Sequence, residues 1–206
     1  MSQLLLELAA PPAPTLDNFV VGSNAAVLAA LRAFGNGTED RCLYLWGVSG
    51  SGRSHLLHAW QQAHDAAAGH TQDDVETLDN TAQIALFNRI NEAREGRGHV
   101  LVAGNAAPAQ LPIRADLRSR LAWGLAFEIV PLSDEDKRAA LLRHAEGRAM
   151  TLGDDVLAYL MTHVRRDMPT LTGIVDALDR LSLQTKRPVT LPLVRELLAQ
   201  NRTLDL

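Results

Sequence analysis

Positions 47–54 read Gly-Val-Ser-Gly-Ser-Gly-Arg-Ser, the spacing of a phosphate-binding loop, G-x-x-x-x-G-K-[ST], with Arg53 where the pattern has lysine. Glycines let successive backbone N–H groups curl round an anion, and the positive end of a following helix points at the same place. The Ser54 hydroxyl would hold Mg²⁺. Arg53 keeps the positive charge and can fork onto two phosphate oxygens. It is bulkier than lysine, however, and cannot follow a transferring γ-phosphoryl group as a point charge does. The candidate nucleotide-binding residues are therefore Gly47, Val48, Ser49, Gly50, Ser51, Gly52, Arg53 and Ser54, with His55 directly after them. The pattern predicts nucleotide binding and leaves hydrolysis a separate question.

Such a loop works only between a strand and a helix. Cys42-Leu43-Tyr44-Leu45-Trp46 is a short apolar run that predicts a buried strand, and Leu56, Leu57, Trp60, Ala63 and Ala67 recur at helical spacing. Ahead of them, Ser23 or Asn24 caps a helix to about Phe34. Beyond them, Val75–Leu78 predicts a second strand ending at Asp79-Asn80. A helix follows over Ala82–Glu95, with Ile84, Phe87, Ile90 and Asn91 on one side. His99–Ala103 predicts a third strand ending at Gly104-Asn105, Leu117–Leu121 a short helix, and Ala126–Val130 a fourth strand closed by Pro131.

From Ser133 the period changes. Ser133-x-x-Asp136 starts a helix to about Met150 in the manner of a capping box, and further helices are predicted over 154–165, 169–185 and 191–201. Pro169 and Pro192 fall near first turns, where proline is tolerated. The expected fold is α/β, a parallel nucleotide-binding sheet followed by a small all-helical lid.

The chain has 206 residues, of which 47% are hydrophobic and 4% aromatic, fitting an ordinary globular protein rich in helix. Its formal charge of −4 argues against a general affinity for nucleic-acid backbone. A single cysteine, Cys42, excludes a disulfide framework and points to a reducing cytoplasm. No apolar stretch approaches the ~18 residues of a membrane span. Met1–Leu8 lacks a basic leader and is followed by Pro11, Pro12 and Pro14, so it does not read as a signal peptide. The seven histidines form no tetrahedral metal set by spacing, and Trp46 and Trp123 read as packing residues.

The order of these parts resembles that of the AAA+ ATPases of the DnaA clade, and within it the Hda-like regulatory inactivators of DnaA. The resemblance rests on Tyr44-Leu45-Trp46-Gly47, on Gly52-Arg53-Ser54-His55-Leu56-Leu57, on Leu117-Arg118-Ser119-Arg120-Leu121-Ala122-Trp123-Gly124 and on Pro131-Leu132-Ser133-Asp134-Glu135-Asp136-Lys137. It implies an AAA+ base over 16–132 and a lid over 133–206. It implies that Asp79 is the Walker B aspartate, supporting Mg²⁺ through water together with Ser54, and that Asn80 replaces the acidic residue that polarises the attacking water. Asn105 falls at the sensor 1 position. Arg120 matches the arginine finger that reaches a neighbouring subunit's nucleotide, whereas Arg118 reads as a solvated or structural charge. The sensor 2 arginine is replaced by Pro169, with Arg165 or Arg166 as substitutes. Residues 55–78 are too few for the helix, strand and helix that the family places there. Either the base is shortened by one strand, or a segment is absent from the sequence.

Gln3-Leu4-Leu5-Leu6-Glu7-Leu8 resembles the peptide by which bacterial replication proteins dock on the polymerase sliding clamp. Gln3, Leu6 and Leu8 are the expected contacts over 1–9, with 10–15 as a Pro-rich linker giving slack. The resemblance implies an ADP-bound adaptor with Mg²⁺, ATP binding more weakly. It would be tethered to DNA only through the clamp, and so be nucleoid-associated. Offering Arg120 to ATP-bound DnaA would stimulate hydrolysis there and repress initiation of chromosomal replication. Self-assembly is left open. The alternative is an autonomous P-loop ATPase acting as a helicase- or clamp-loading factor, against which Arg53, Asn80 and Pro169 weigh.

Overall fold

The computed structural model describes residues 13–36, 39–64 and 69–200. They fall into two compact units, Ala13–Leu132 and the residues from Ser133 onward.

In the first unit, strand β1 (Cys42–Trp46) is paired on both edges. It runs parallel to β3 (His99–Gly104), with Leu43 opposite Leu101 and Leu45 opposite Ala103, and parallel to β4 (Leu125–Glu128), with Leu45 opposite Phe127. Strand β2 (Gly69–Gln72) pairs only with β3, so the described sheet has four parallel strands in the order β2-β3-β1-β4. A central parallel strand is covered on both faces and must be apolar on both. Leu43, Tyr44 and Leu45 are accordingly fully buried.

The pleat divides the core. Leu43, Leu45 and Leu101 pack with Leu31 of α1 (Ala25–Ala33) and with Leu56 and Trp60 of α2 (Arg53–Ala63). Cys42, Tyr44 and Val102 pack with Ile90 of α3 (Asn80–Arg94) and with Leu117 and Leu121 of α4 (Ala115–Trp123). Burial pushes the Cys42 thiol up to about 12, which leaves it unreactive at neutral pH.

Three sequence expectations are corrected. Val75–Leu78 is not a strand: Val75–Thr77 is one 3₁₀ turn, and the second strand lies earlier, at Gly69–Gln72. Gly-His-Thr-Gln has no apolar run because β2 is an edge strand, held by backbone pairing to one neighbour. Its glycine is required because a Cβ there would collide with the Trp60 indole. On α3 the buried residues are Gln83, Leu86, Ile90 and Ala93, whereas Ile84 is exposed. Gln83 goes inside because both ends of its amide are used, donating to the Leu78 carbonyl (2.8 Å) and accepting from the Arg114 amide (2.9 Å).

Asn24 stands at the start of α1 but does not cap it with its side chain. It is 2% exposed, and its amide donates to the Val130 carbonyl (2.9 Å) and accepts from the Val130 N–H (2.8 Å). The two bonds fasten the first helix to the chain leaving β4.

The second unit holds four helices, α5 (Asp134–Glu146), α6 (Asp154–His163), α7 (Met168–Thr185) and α8 (Leu191–Gln200). Leu141, Leu157, Ile174, Leu178 and Leu193 form its core. The Ser133–Asp136 capping box is present in both directions, with the Asp136 N–H donating to Ser133 Oγ (3.0 Å) and the Ser133 N–H to Asp136 Oδ2 (3.2 Å). Pro169 lies in the first turn of α7, whose N-cap Asp167 accepts from the Thr170 N–H (2.9 Å). Arg165 pairs with Asp167 (3.4 Å) and Arg166 with Asp134 (3.3 Å). Among the described residues no helix is long and apolar enough to cross a membrane.

Replacing Asn24 by alanine removes both bonds to Val130 and opens a small void. Unfolding free energy from urea denaturation is expected to fall by about 1–3 kcal/mol, with the denaturant slope unchanged.

Candidate nucleotide-binding site

Residues 47–52 leave the C-terminal end of β1 and feed directly into α2, the strand–loop–helix order that a phosphate loop needs. The loop closes on itself through Ser51 N–H to the Val48 carbonyl (3.2 Å) and is pinned to the sheet by Gly47 N–H to the Gly104 carbonyl (3.3 Å). Glycine is demanded at two points. A Cβ at Gly47 would lie 2.6 Å from the Ile129 carbonyl oxygen, and Gly52 has φ +104° with a Cβ position 2.8 Å from the Phe19 ring. The first-turn amides of α2 have no acceptor within the helix. Ser51 is 5% exposed and its Oγ has no hydrogen-bond partner. A tight glycine cradle with an orphaned buried hydroxyl and free helix amides fits a diphosphate.

One flanking residue, His55, braces the loop. His55 Nε2 donates to the Thr15 carbonyl (3.0 Å), and its ring lies 5.6 Å from that of Phe19. Burial holds its pKa below the ordinary histidine value, partly offset by the Thr15 bond, with His58 lowering it a little further; the imidazole is neutral at pH 7. Ser54 is exposed at the start of α2.

Arg53 turns away from solvent. Its side chain is 10% exposed and pairs with Asp74 (3.3 Å) and with Glu76 (4.0 Å), while Nη1 has no hydrogen-bond partner. Glu76 in turn accepts from the Asn105 N–H (3.2 Å), which ties the end of β3 to the same group of charges. The Tyr44 hydroxyl below them donates to the Ala106 carbonyl (2.6 Å). Burial first, and then the Glu76 charge, push its pKa well above the usual tyrosine range, with Arg53 opposing.

The carboxylates at the end of β2 are Asp73 and Asp74, immediately after Gln72. Asp74 takes a left-handed backbone conformation (φ 44°), and its N–H is held by Asp73 Oδ1 (2.9 Å). Asp79 is elsewhere. It is the N-cap of α3, and its carboxylate accepts from the Ala82 N–H (2.8 Å). The expectation for Asp79 presumed a strand at 75–78; Asp79 instead stands at a helix cap, and Asp73 directly follows β2. Asn80 likewise belongs to α3 and accepts from Arg114 Nη1 (3.1 Å). Asp74 and Glu76, which the sequence analysis did not single out, are the carboxylates that the structure brings to Arg53. Asn105 does follow the β3 end as expected, and is exposed.

Arg120 lies at the opposite end of β1. With Arg94, Trp123 and Gly124 it lines a cavity of about 300 Å³ floored by Asp40, Arg41 and Cys42, the residues that enter the strand. β1 has five residues, so roughly 16 Å of strand at about 3.3 Å per residue separates that cavity from the start of the loop. Arg118 is structural, its Nη1 donating to the Leu111 carbonyl (3.4 Å).

Residues 134–198 match the family model of the Hda lid domain. Domain III of the replication initiation protein DnaA from Thermotoga maritima is similar in structure, with a TM-score of 0.68 at 20% identity over 94% of this chain and 97% of that one. The lid segment is thus similar to that of Hda, and the chain shares the fold of DnaA domain III. AMPPCP-bound DnaA from Aquifex aeolicus matches with a TM-score of 0.67 at 18% identity, over 86% of this chain and 71% of that one. The RuvB Holliday junction branch migration motor of Thermotoga maritima gives 0.65 at 15%, over 94% and 73%. The four described strands form a sheet with β2 at one edge. Gln3, Leu6 and Leu8, the expected clamp contacts, lie outside the described residues.

The ion pairs of Arg53 are unequal. Asp74 has an exposed side chain, whereas that of Glu76 is 12% exposed. Arg53→Ala strands the Glu76 charge and is expected to cost about 1–3 kcal/mol of stability. Asp74→Ala should cost less than about 1 kcal/mol. Parallel denaturation curves of the two variants check the order.

Proposed function

We propose that this chain is an ADP-bound regulator of chromosomal replication initiation, one that supplies Arg120 to an ATP-bound DnaA and stimulates hydrolysis there. The observation that carries the reading is the place of Arg120. It sits at the far end of β1 from the chain's own phosphate loop, so a phosphate it meets belongs to another molecule. The Hda-type lid supports the same partner. Tethering to the sliding clamp through Gln3, Leu6 and Leu8 would bring the chain to DNA without a DNA-binding surface of its own.

The loop from Gly47 to Ser54, with Asn105 near the γ position, would hold the nucleotide. Ser54 and Asp73 would hold Mg²⁺, whose charge would offset that of the diphosphate. Arg53 is engaged with Asp74 and Glu76, which removes one cation from the γ-phosphate while leaving the backbone cradle intact. Loss of one charge-assisted contact weakens binding by about tenfold or more. ADP is therefore expected to bind at least about tenfold more tightly than ATP in calorimetric titrations with Mg²⁺. Equal affinities would overturn this part of the reading.

A second reading, an autonomous ATPase, is favoured by one observation: the residue after Asp73 is acidic, and a free Asp74 carboxylate could orient an attacking water. Its hydrogen bond to Arg53 opposes that role. Phosphate release by the chain alone, compared with release from ATP-loaded DnaA on clamp-loaded DNA, separates the two readings.

Arg120→Ala is expected to leave folding and ADP affinity unchanged and to lower the stimulated rate by at least about a hundredfold, since arginine fingers acting in trans contribute roughly 10³–10⁵ in GTPases. Arg120→Lys should recover only part of it, because an ammonium cannot span two oxygens. Undiminished stimulation by Arg120→Ala would refute the adaptor mechanism.

A further inference from the structure

An arginine that must meet a phosphate in another molecule faces a physical conflict. Left free, its long side chain samples many rotamers and arrives misaligned; held by a carboxylate, it spends on that carboxylate the N–H donors the phosphate needs. Other arginines of the same unit are held by carboxylates. Arg53 pairs with Asp74 and Glu76, and Arg114 forms a two-pronged bridge to Asp116 (3.1 and 2.7 Å). Arg120 is held differently. Among the described residues no carboxylate lies within ion-pair distance of it, and its Nε is buried without a hydrogen-bond partner. Its guanidinium carbon instead lies 4.6 Å from the centroid of the Trp123 ring and 5.4 Å from that of Phe87.

We infer that Trp123 is the positioning residue of Arg120, holding the guanidinium by its face so that the Nη donors at its edge stay free for an incoming phosphate. The inference rests on the reading of Arg120 as a finger. A ring attracts a cation through its π face and competes for none of the N–H groups at the edge. The geometry follows from two helices. Arg120 and Trp123 are three apart on α4 and so share a side, and Phe87 and Arg94, seven apart on α3, share the side that meets them. Arg94 also lies over Trp123, 4.4 Å from its centroid, so the ring carries two guanidiniums beside the 300 Å³ cavity. Trp123 is 63% exposed, far more than core packing would require. A large apolar ring kept at the surface needs another reason, and the two cations supply one.

The test compares Trp123→Leu, which keeps apolar bulk but has no π face, with Trp123→Phe, which keeps the face. The readout is phosphate release from ATP-loaded DnaA, followed over a range of concentrations of the full-length variant. Trp123→Leu is expected to lower the maximal rate roughly tenfold, with the half-saturating concentration changed less than about twofold; Trp123→Phe should stay within about threefold of wild type. Both should keep the wild-type melting temperature and ADP affinity. A wild-type maximal rate for Trp123→Leu, an effect on the half-saturating concentration alone, or equal loss in the two variants would overturn the inference. Arg120→Ala is run alongside. If it abolishes stimulation while Trp123→Leu does not, only the positioning role is wrong; if it stimulates like wild type, the finger reading itself fails.

Discussion

A parallel strand buried on both faces and paired on both edges has no freedom to shift, and β1 is such a strand. Every side chain from Leu43 to Leu45 is sealed, and the backbone is matched residue by residue to β3 and β4. Whatever is attached to its two ends is therefore fixed in space relative to the sheet. At one end the chain turns sharply through Gly47, where any Cβ would meet the Ile129 carbonyl, and enters the phosphate loop. At the other end, Asp40, Arg41 and Cys42 floor the cavity beside Arg120. Gly124 is required there for the same reason as Gly47, since a Cβ would collide with the Cys42 carbonyl. One rigid strand thus separates the candidate phosphate loop from the cavity that Arg120 lines.

The arginines show how the same side chain is put to different uses by what surrounds it. Arg53 carries the charge that a phosphate loop calls for, but two carboxylates draw it toward the end of β2 and the Asn105 amide. The result is a loop braced against the ends of β2 and β3. Arg114 is spent on structure, bridging Asp116 and Asn80. Arg120 alone among these three rests on rings, which restrain it without using its donors. The distinction lies in the partner's electrostatics, a localised negative charge in one case and a quadrupole in the other.

The lid is built by more local rules. Its first helix starts at a reciprocal capping box, its third at an aspartate cap followed by proline in the first turn. His144 and Arg148 of one segment share the Asp176 carboxylate of α7, at 2.6 and 2.8 Å, and so add a polar clasp to the apolar core. α5 stops at Glu146 because Gly147 follows and Ala149 adopts a positive φ of 55°, which ends the helix short of Met150.

Much of this was legible in the residues themselves. The apolar run 42–46, the glycines at 47, 50 and 52 and the helical spacing after Ser54 determined a strand, a phosphate loop and a helix, because each signal is local and the physics behind it acts over a few residues. The capping box at Ser133 and the α4 motif around Arg120 were equally plain. The tertiary structure alone decided β2. Gly69–Gln72 carries no period that marks a strand, and only pairing with β3 makes it one, so the strand was expected at 75–78, where the chain instead makes a turn before the Asp79 helix cap. It also decided what Asn24, Arg53 and Trp123 touch, across 106, 21 and 29 positions of chain to Val130, Asp74 and Arg94. Contacts over such separations leave no mark in local spacing; they exist because a buried amide must find its hydrogen bonds, and a charge its partner, wherever the fold brings one within reach.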